Sequence, residues 1–277
     1  MTRKANQDTN MNNIQDYFAI DDKTYQTNNI VVFDFDDSKS AQFIQEFVIP
    51  YRQSYYSDED LDYEVNEGIN TREKAIENKL PTTPNLRSGE FSEILMFFLS
   101  CKVLCSDANV TPIKWRWKEH RDAPCHLTDI ALLKCNNSEN PSTEDYFFSM
   151  EVKSAATPIG NRSKESRFND AIEGALKDKT SRVGKMVAYL TTKYSKERNA
   201  EAAKIAKRFD DGTTVQYQRR FSAAVVSERN SLQYHIANIV ASNKAKADTE
   251  HIALFAVPMQ DLKTIYETMY NITPKLG

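Results

Sequence analysis

The stretch from His126 to Ala156 constrains the fold more than any other. It reads HLTDIALLKC, then a polar loop, NNSENPST, then EDYFFSMEVKSAA. The pattern predicts two strands joined by a turn. Side chains two apart in a strand share a face. Glu151 and Lys153 therefore project together, while Met150 and Val152 point the other way. Asp129 falls on the first strand, so two carboxylates and a lysine are expected to meet in a compact cluster.

A sheet needs a core around it. The chain has 277 residues, 40% of them hydrophobic and 10% aromatic, enough for one large domain or a core with an added lobe. Its 7 glycines argue against Gly-rich phosphate loops and against a turn-dense all-β fold. No apolar run reaches the ~18 residues that a membrane span needs. The opening MTRKANQDTNMNNIQDY lacks the apolar centre of a signal peptide. A cytoplasmic location without membrane association is expected. The four cysteines lie in or beside apolar segments and make no disulfide framework.

The net charge of -3 hides an uneven distribution. Residues 1–84 hold 8 Lys and Arg against 16 Asp and Glu, a balance of -8, whereas residues 151–220 hold 16 against 9, a balance of +7. A basic stretch that begins at the Glu-x-Lys strand suits a polyanionic ligand; a solvated helix surface with surplus lysines is the alternative.

Residues 1–27 have no apolar period and read as a loose arm. Ile30–Phe35 (IVVFDF) reads as a strand, and Ser38 as the cap of a helix through AQFIQEFVIPYR. A further helix is expected from Ser57–Asp62 to near Leu80, carrying Tyr63, Val65, Ile69 and Ile76, before Pro81 and Pro84 break the chain. We divide the chain into an N-terminal arm and helical lobe, 1–84, packed on a core, 85–277. The core opens with RSGEFSEILMFFLSC, a helix with Ser88 as its cap and Glu90 and Glu93 in its first turns. Glu90 ends a face shared with Ile94, Phe97 and Cys101. A carboxylate there needs a metal or a cationic side chain as partner.

Pro112–His120 (PIKWRWKEH) alternates, with Lys114, Arg116 and Lys118 on one face and Trp115 and Trp117 on the other, and predicts a half-buried strand. Helix, strand, strand, strand is then the expected order. A polar loop, TPIGNRSKES, follows Ala156. Helices are predicted over 168–209 with a break near Thr180 and Ser181, a strand at Phe221–Ser227, a helix at Leu232–Val240, a strand at His251–Val257 and a helix at Asp261–Tyr270. The alternation predicts an α/β fold with a central mixed sheet flanked by helices.

Asp129 and Glu151 offer hard oxygen ligands, and the Val152 carbonyl a third; Mg²⁺ takes one or two protein carboxylates together with waters and substrate phosphate. Glu90 would bind the metal or a water on it. Lys153 would orient an attacking water or stabilise charge on a phosphate. The set suits phosphodiester hydrolysis. The bland alternative is a surface pair of Glu151 and Lys153, worth under about 1 kcal/mol.

The order Glu90, Asp129, Glu151-Val152-Lys153 resembles the PD-(D/E)XK, or restriction-endonuclease-like, nuclease superfamily over about residues 87–180, although Leu127-Thr128-Asp129 lacks the superfamily's usual proline. More narrowly, RSGEFSEILMFFL, PIKWRWKEHRDAPCHLTDI and FFSMEVKSA are similar to the HamA family of the Hachiman antiphage defence system. That resemblance implies a restriction-endonuclease-like core with an N-terminal strand-helix extension. It also implies DNA cleavage dependent on Mg²⁺, with Mn²⁺ as a substitute, and a superfamily 2 helicase partner, HamB-like, that restrains the nuclease. Glu90, Asp129, Glu151 and Lys153 take the catalytic places.

Arg162, Lys164 and Arg167 directly follow the Glu-x-Lys strand and are positioned to grip a DNA backbone; a solvated loop is the alternative. Cys101, Cys105, Cys125, His126 and Cys135 lack paired zinc-site spacing and read as buried thiols. Trp115 and Trp117 read as core rather than as base-stacking groups. Two other functions stay open at this point: a catalytically silent nuclease-fold adaptor that binds DNA or a helicase, and a metal-dependent ribonuclease.

Overall fold

The computed structural model describes residues 13–123, 125, 127–157, 165–210 and 215–276, apart from the side chain of Thr27. Its strands are β1 (Phe18–Asp21), β2 (Ile30–Phe35), β3 (Ile130–Lys134), β4 (Tyr146–Ala155), β5 (Gln218–Glu228) and β6 (Ile252–Met259). Before β3 come helices α1 (Ser40–Tyr55), α2 (Asp58–Asn66), α3 (Arg72–Glu77) and α4 (Pro84–Leu99). Between β4 and β5 lie α5 (Arg167–Lys177), α6 (Val183–Lys196) and α7 (Ala200–Lys207); α8 (Leu232–Ala237) and α9 (Ala241–Thr249) precede β6, and α10 (Leu262–Ile272) follows it.

The strands form one mixed sheet in the order β1-β2-β6-β5-β4-β3. Its centre is parallel, and the antiparallel pairs β1/β2 and β3/β4 close the two edges. This is the α/β sheet flanked by helices that the sequence predicts. The segment before residue 85 contributes β1 and β2 to the same sheet, β2 pairing with β6 from Ile30 opposite Leu254.

Alternation along β4 builds two cores. Tyr146, Phe148, Met150 and Val152 face the layer of α1, α4 and α10, whereas Phe147 faces the layer of α5, α6 and α7. Central parallel strands are covered on both faces, which is why β5 and β6 read as nearly continuous apolar runs.

Several elements differ from expectation. The arm before residue 27 holds β1 and a 3₁₀ turn, Ile14–Tyr17, because Ile14, Tyr17 and Phe18 are buried. Asp36, not Ser38, makes the capping bond ahead of α1, its side chain accepting from the Ser38 N–H. The single helix expected after Ser57 is two, α2 and α3. Gly68 between them takes φ +67°, a left-handed conformation that suits glycine and stops a helix. Pro84 opens α4 rather than ending the preceding segment, since its fixed φ and missing N–H cost nothing in a first turn.

The largest correction is at Pro112–His120. No strand forms there: Lys114–Trp117 is a 3₁₀ turn, and only Val110 bridges to β3, opposite Leu133. The alternation is real but has another cause. The turn wraps the end of the sheet, so Trp115 packs on Phe97 in one layer at 5.7 Å while Trp117 meets Tyr189 and Tyr194 in the other at 5.9 and 5.5 Å. The expected break near Thr180 is a π-helical turn, Asp178–Arg182, that joins α5 to α6.

Candidate active site

The antiparallel register of β3 and β4 sets Ile130 opposite Met150, which carries Asp129 to the level of Glu151. Asp129 accepts a hydrogen bond from the Val152 N–H at 2.8 Å, so its carboxylate is seated against the β4 backbone. Lys153 Nζ lies 2.5 Å from Glu151 Oε1, and Arg182 Nη1 lies 3.1 Å from Glu151 Oε2. The structure thus brings Asp129, Glu151, Val152 and Lys153 together, as their spacing predicts. The Glu151 side chain is 8% exposed, against 31% for Lys153 and 29% for Arg182. The two cations face outward over a buried carboxylate.

The site has two flanks. On the α4 side, Lys114 Nζ donates to the Thr128 carbonyl at 3.0 Å and stands 3.5 Å from Glu93 and 3.9 Å from Asp129. Glu90, one turn earlier, is buried and takes Lys118 as its ion-pair partner and the Tyr55 hydroxyl at 2.8 Å. A cationic side chain therefore satisfies Glu90, and Glu93 is the α4 carboxylate beside Asp129. On the other side, Asp178 in the π-helical turn is fully buried. It accepts from the hydroxyls of Thr128 and Ser149 and pairs with Arg182 at 3.2 Å. Asp178 thereby positions the arginine that holds Glu151. Single π-turns inside helices recur at functional sites.

Burial raises the pKa of Glu151, and the Asp129 charge adds to it; Lys153 works in the opposite direction. Glu93 is raised by burial and by Asp129. Burial opposes the charge on Lys153, but Asp129 and Glu151 more than offset that, and its pKa stands above the usual value. Carboxylates crowded in this way favour the approach of a cation.

Does the donor set fit a divalent metal? Among the described residues no group of three or more His, Cys, Asp or Glu side chains is arranged to hold one. Mg²⁺ does not require such a cage: one or two carboxylates suffice, the remaining oxygens coming from water and substrate phosphate. Asp129 and Glu151 are that number, and their donors are all oxygen, so the residues fit. The cysteines are free thiols; Cys105 and Cys135 are buried, Cys101 and Cys125 half-buried.

Of the residues expected to grip DNA, Arg162 and Lys164 lie outside the described residues, as does His126. Arg167 opens α5, is exposed, and pairs with Asp170 at 3.0 Å.

The family model of HamA matches residues 11–272. The chain belongs to the HamA family. Membership implies a role in Hachiman antiphage defence, and the match spans the sheet, both helical layers and the whole cluster around Glu151. No curated protein matches the chain. Among the described residues no helix of this HamA-family chain is long and apolar enough to cross a membrane.

Sequence reasoning passed over Glu93 as a site residue, although it stands three residues from Glu90 and shares its side of the helix. Lys114, Asp178 and Arg182 carried no usable signal: Asp178 and Arg182 read as an ordinary i,i+4 helix pair, and the contacts of Lys114 with Asp129 and of Arg182 with Glu151 are distant in sequence.

Gly174 has a steric role in the site. A methyl group there would stand 2.3 Å from Glu151 Cδ, so the absence of a side chain on α5 leaves the space that the carboxylate fills. Gly174→Ala should improve the intrinsic helix preference of α5 by about 1 kcal/mol yet push Glu151 out of place. We expect a folded protein whose urea midpoint stays near wild type and whose crystal structure shows Glu151 moved away from Lys153 and Arg182; an unmoved Glu151 would refute the steric role.

Proposed function

We propose that this HamA-family chain is a metal-dependent DNA nuclease with a restriction-endonuclease-like core, and the effector of a helicase-linked defence complex. The observation that carries the reading is the convergence of Asp129, Glu151 and Lys153 at the β3/β4 edge, with the lysine half-buried and the more open of the Glu151–Lys153 pair. The family resemblance supplies the helicase, a superfamily 2 subunit.

Asp129, Glu151 and the Val152 carbonyl would hold the ion. When bound, Mg²⁺, or Mn²⁺ in its place, supplies Lewis acidity toward a phosphoryl oxygen and lowers the pKa of water. The chain's own groups do the rest. Lys153 presents a charged amine to the scissile phosphate, where it orients the attacking water and stabilises the charge that develops. Arg182, fixed by Asp178, keeps Glu151 in one rotamer. Glu93 and Lys114 buttress Asp129 from the α4 side. Arg162, Lys164 and Arg167 contact the DNA backbone beyond β4, where the excess of basic residues draws in the polyanion.

The test uses the purified chain, alone and with its co-purified helicase, incubated with DNA and with RNA in Mg²⁺ and again in EDTA. DNA loss that depends on Mg²⁺ is expected. RNA loss alone would make it a ribonuclease. DNA that is bound but uncut in Mg²⁺ under both conditions would make it an adaptor, a reading favoured by the full ion pairing of Glu151 with Lys153 and Arg182.

A further inference from the structure

Beside the site lies a cavity of about 190 Å³ lined by Lys114, Trp117, Lys118, Glu119, Tyr189 and Lys193, among others. Lys114 belongs to both places: it lines the cavity and stands 3.9 Å from Asp129. The chamber is smaller than the ~300 Å³ at which pockets for drug-sized ligands begin, so it suits one flat ring system.

Its walls are aromatic and already ordered. The Trp117 indole N–H donates to Glu197 at 2.5 Å, and its ring is held edge-on by Tyr189 and Tyr194, with interplanar angles of 71° and 86°. Trp117 and Tyr189 are nonetheless only half-buried. Lys193 stands over the Tyr189 ring, 5.4 Å from its centroid. Of the three lysines in the lining, Lys118 is paired with Glu90 and Lys114 with Glu93 and Asp129, which leaves Lys193 set against Glu119. That composition disfavours a phosphate as the occupant. It suits a neutral base, whose edge carries both donors and acceptors and whose faces stack on aromatic rings.

We propose that this cavity receives one unpaired nucleobase of the DNA strand presented to the Asp129–Glu151–Lys153 site. The inference rests on the nuclease reading and adds that the strand engaged is single-stranded or locally unpaired. A base stacked inside a duplex cannot enter a pocket of this kind without leaving the stack. Trp117, read from sequence as core, then forms part of a stacking platform, while Trp115 remains core at 1% exposure.

The experiment measures binding rather than cleavage. The full chain carrying Glu151→Ala is titrated by fluorescence anisotropy with a labelled oligothymidine and with a uniformly abasic strand of equal length, which has the same charge and no bases. Thymidine is expected to bind roughly tenfold more tightly, within the range of one base–aromatic contact. Tyr189→Ala should bring thymidine to the abasic level, and Tyr189→Phe, which keeps the ring, should not. With Trp115→Phe leaving Trp117 as the sole tryptophan, thymidine but not the abasic strand should quench its fluorescence. Equal affinity for the two strands, or a thymidine preference that survives Tyr189→Ala, would overturn the proposal. Both readouts are independent of turnover. A chain that cuts DNA but shows no base dependence refutes the pocket alone; one that shows base dependence but never cuts DNA refutes the nuclease reading alone.

Discussion

A Glu151→Ala/Lys153→Ala double variant is expected to lose DNA cleavage by about 10³-fold or more while keeping its fold. Glu151 is the more buried of the two acids facing the site, and Lys153 is the cation most exposed beside it. In the proposed nuclease they are the metal ligand and the charge that meets the phosphate. The loss should not be twice that of either single change, because residues that act as a unit lose their effect together. Removing both also avoids leaving a buried carboxylate facing Arg182 alone. Lys153→Met by itself is expected to cost about 10²–10³ in rate with DNA affinity nearly unchanged. Initial rates on plasmid DNA at saturating Mg²⁺, alongside a thermal melt, provide the check. A double variant that degrades DNA as fast as wild type would remove the site from Asp129, Glu151 and Lys153 altogether.

The second large effect concerns stability and lies away from the site. Arg208→Ala is expected to destabilise the chain by about 3–5 kcal/mol, because it strands a buried charge. Arg208 and Asp145 form an ion pair at 2.9 Å with side chains 2% and 1% exposed. The same guanidinium donates to the carbonyls of Ser142, Val215 and Gln216 and lies over the rings of Phe209 and Tyr217. It therefore ties the β3/β4 loop to the approach to β5, and its loss leaves those carbonyls short of a donor as well as Asp145 unpaired. Urea unfolding followed by circular dichroism measures the change. The double variant Arg208→Ala/Asp145→Ala should recover part of the loss, since contacting residues are not additive. A single variant within about 1 kcal/mol of wild type would show that the pair is not the strut described.

How far each feature was legible depends on the range of the interaction behind it. The Glu151–Lys153 pairing follows from two-residue periodicity, a property of any strand, and it survives in the structure. So do β2, β5, β6 and α10, whose apolar patterns match their burial. The PIKWRWKEH segment shows the limit. Its alternation was read correctly as two environments but wrongly as a strand, because a turn crossing from one helical layer to the other produces the same pattern. Glu90 shows another. The sequence says that a carboxylate on an apolar helix needs a partner; it does not say whether the partner is a metal or Lys118, twenty-eight residues on.

The sequence by itself determined the chemistry available at the β3/β4 edge: which side chains share a strand face, and that two carboxylates and a lysine stand within one hairpin. Those facts depend on backbone geometry over a few residues, which every strand imposes. Only the tertiary structure decided what surrounds them. It chose Glu93 over Glu90 as the acid beside Asp129, set Lys114 between them, and hung Arg182 on Asp178 over Glu151. It opened the aromatic cavity next to the site by placing Trp117 against a helix seventy residues away. These choices follow from how α4, α5 and α6 pack on the sheet, and packing joins residues whose separation along the chain carries no local signal.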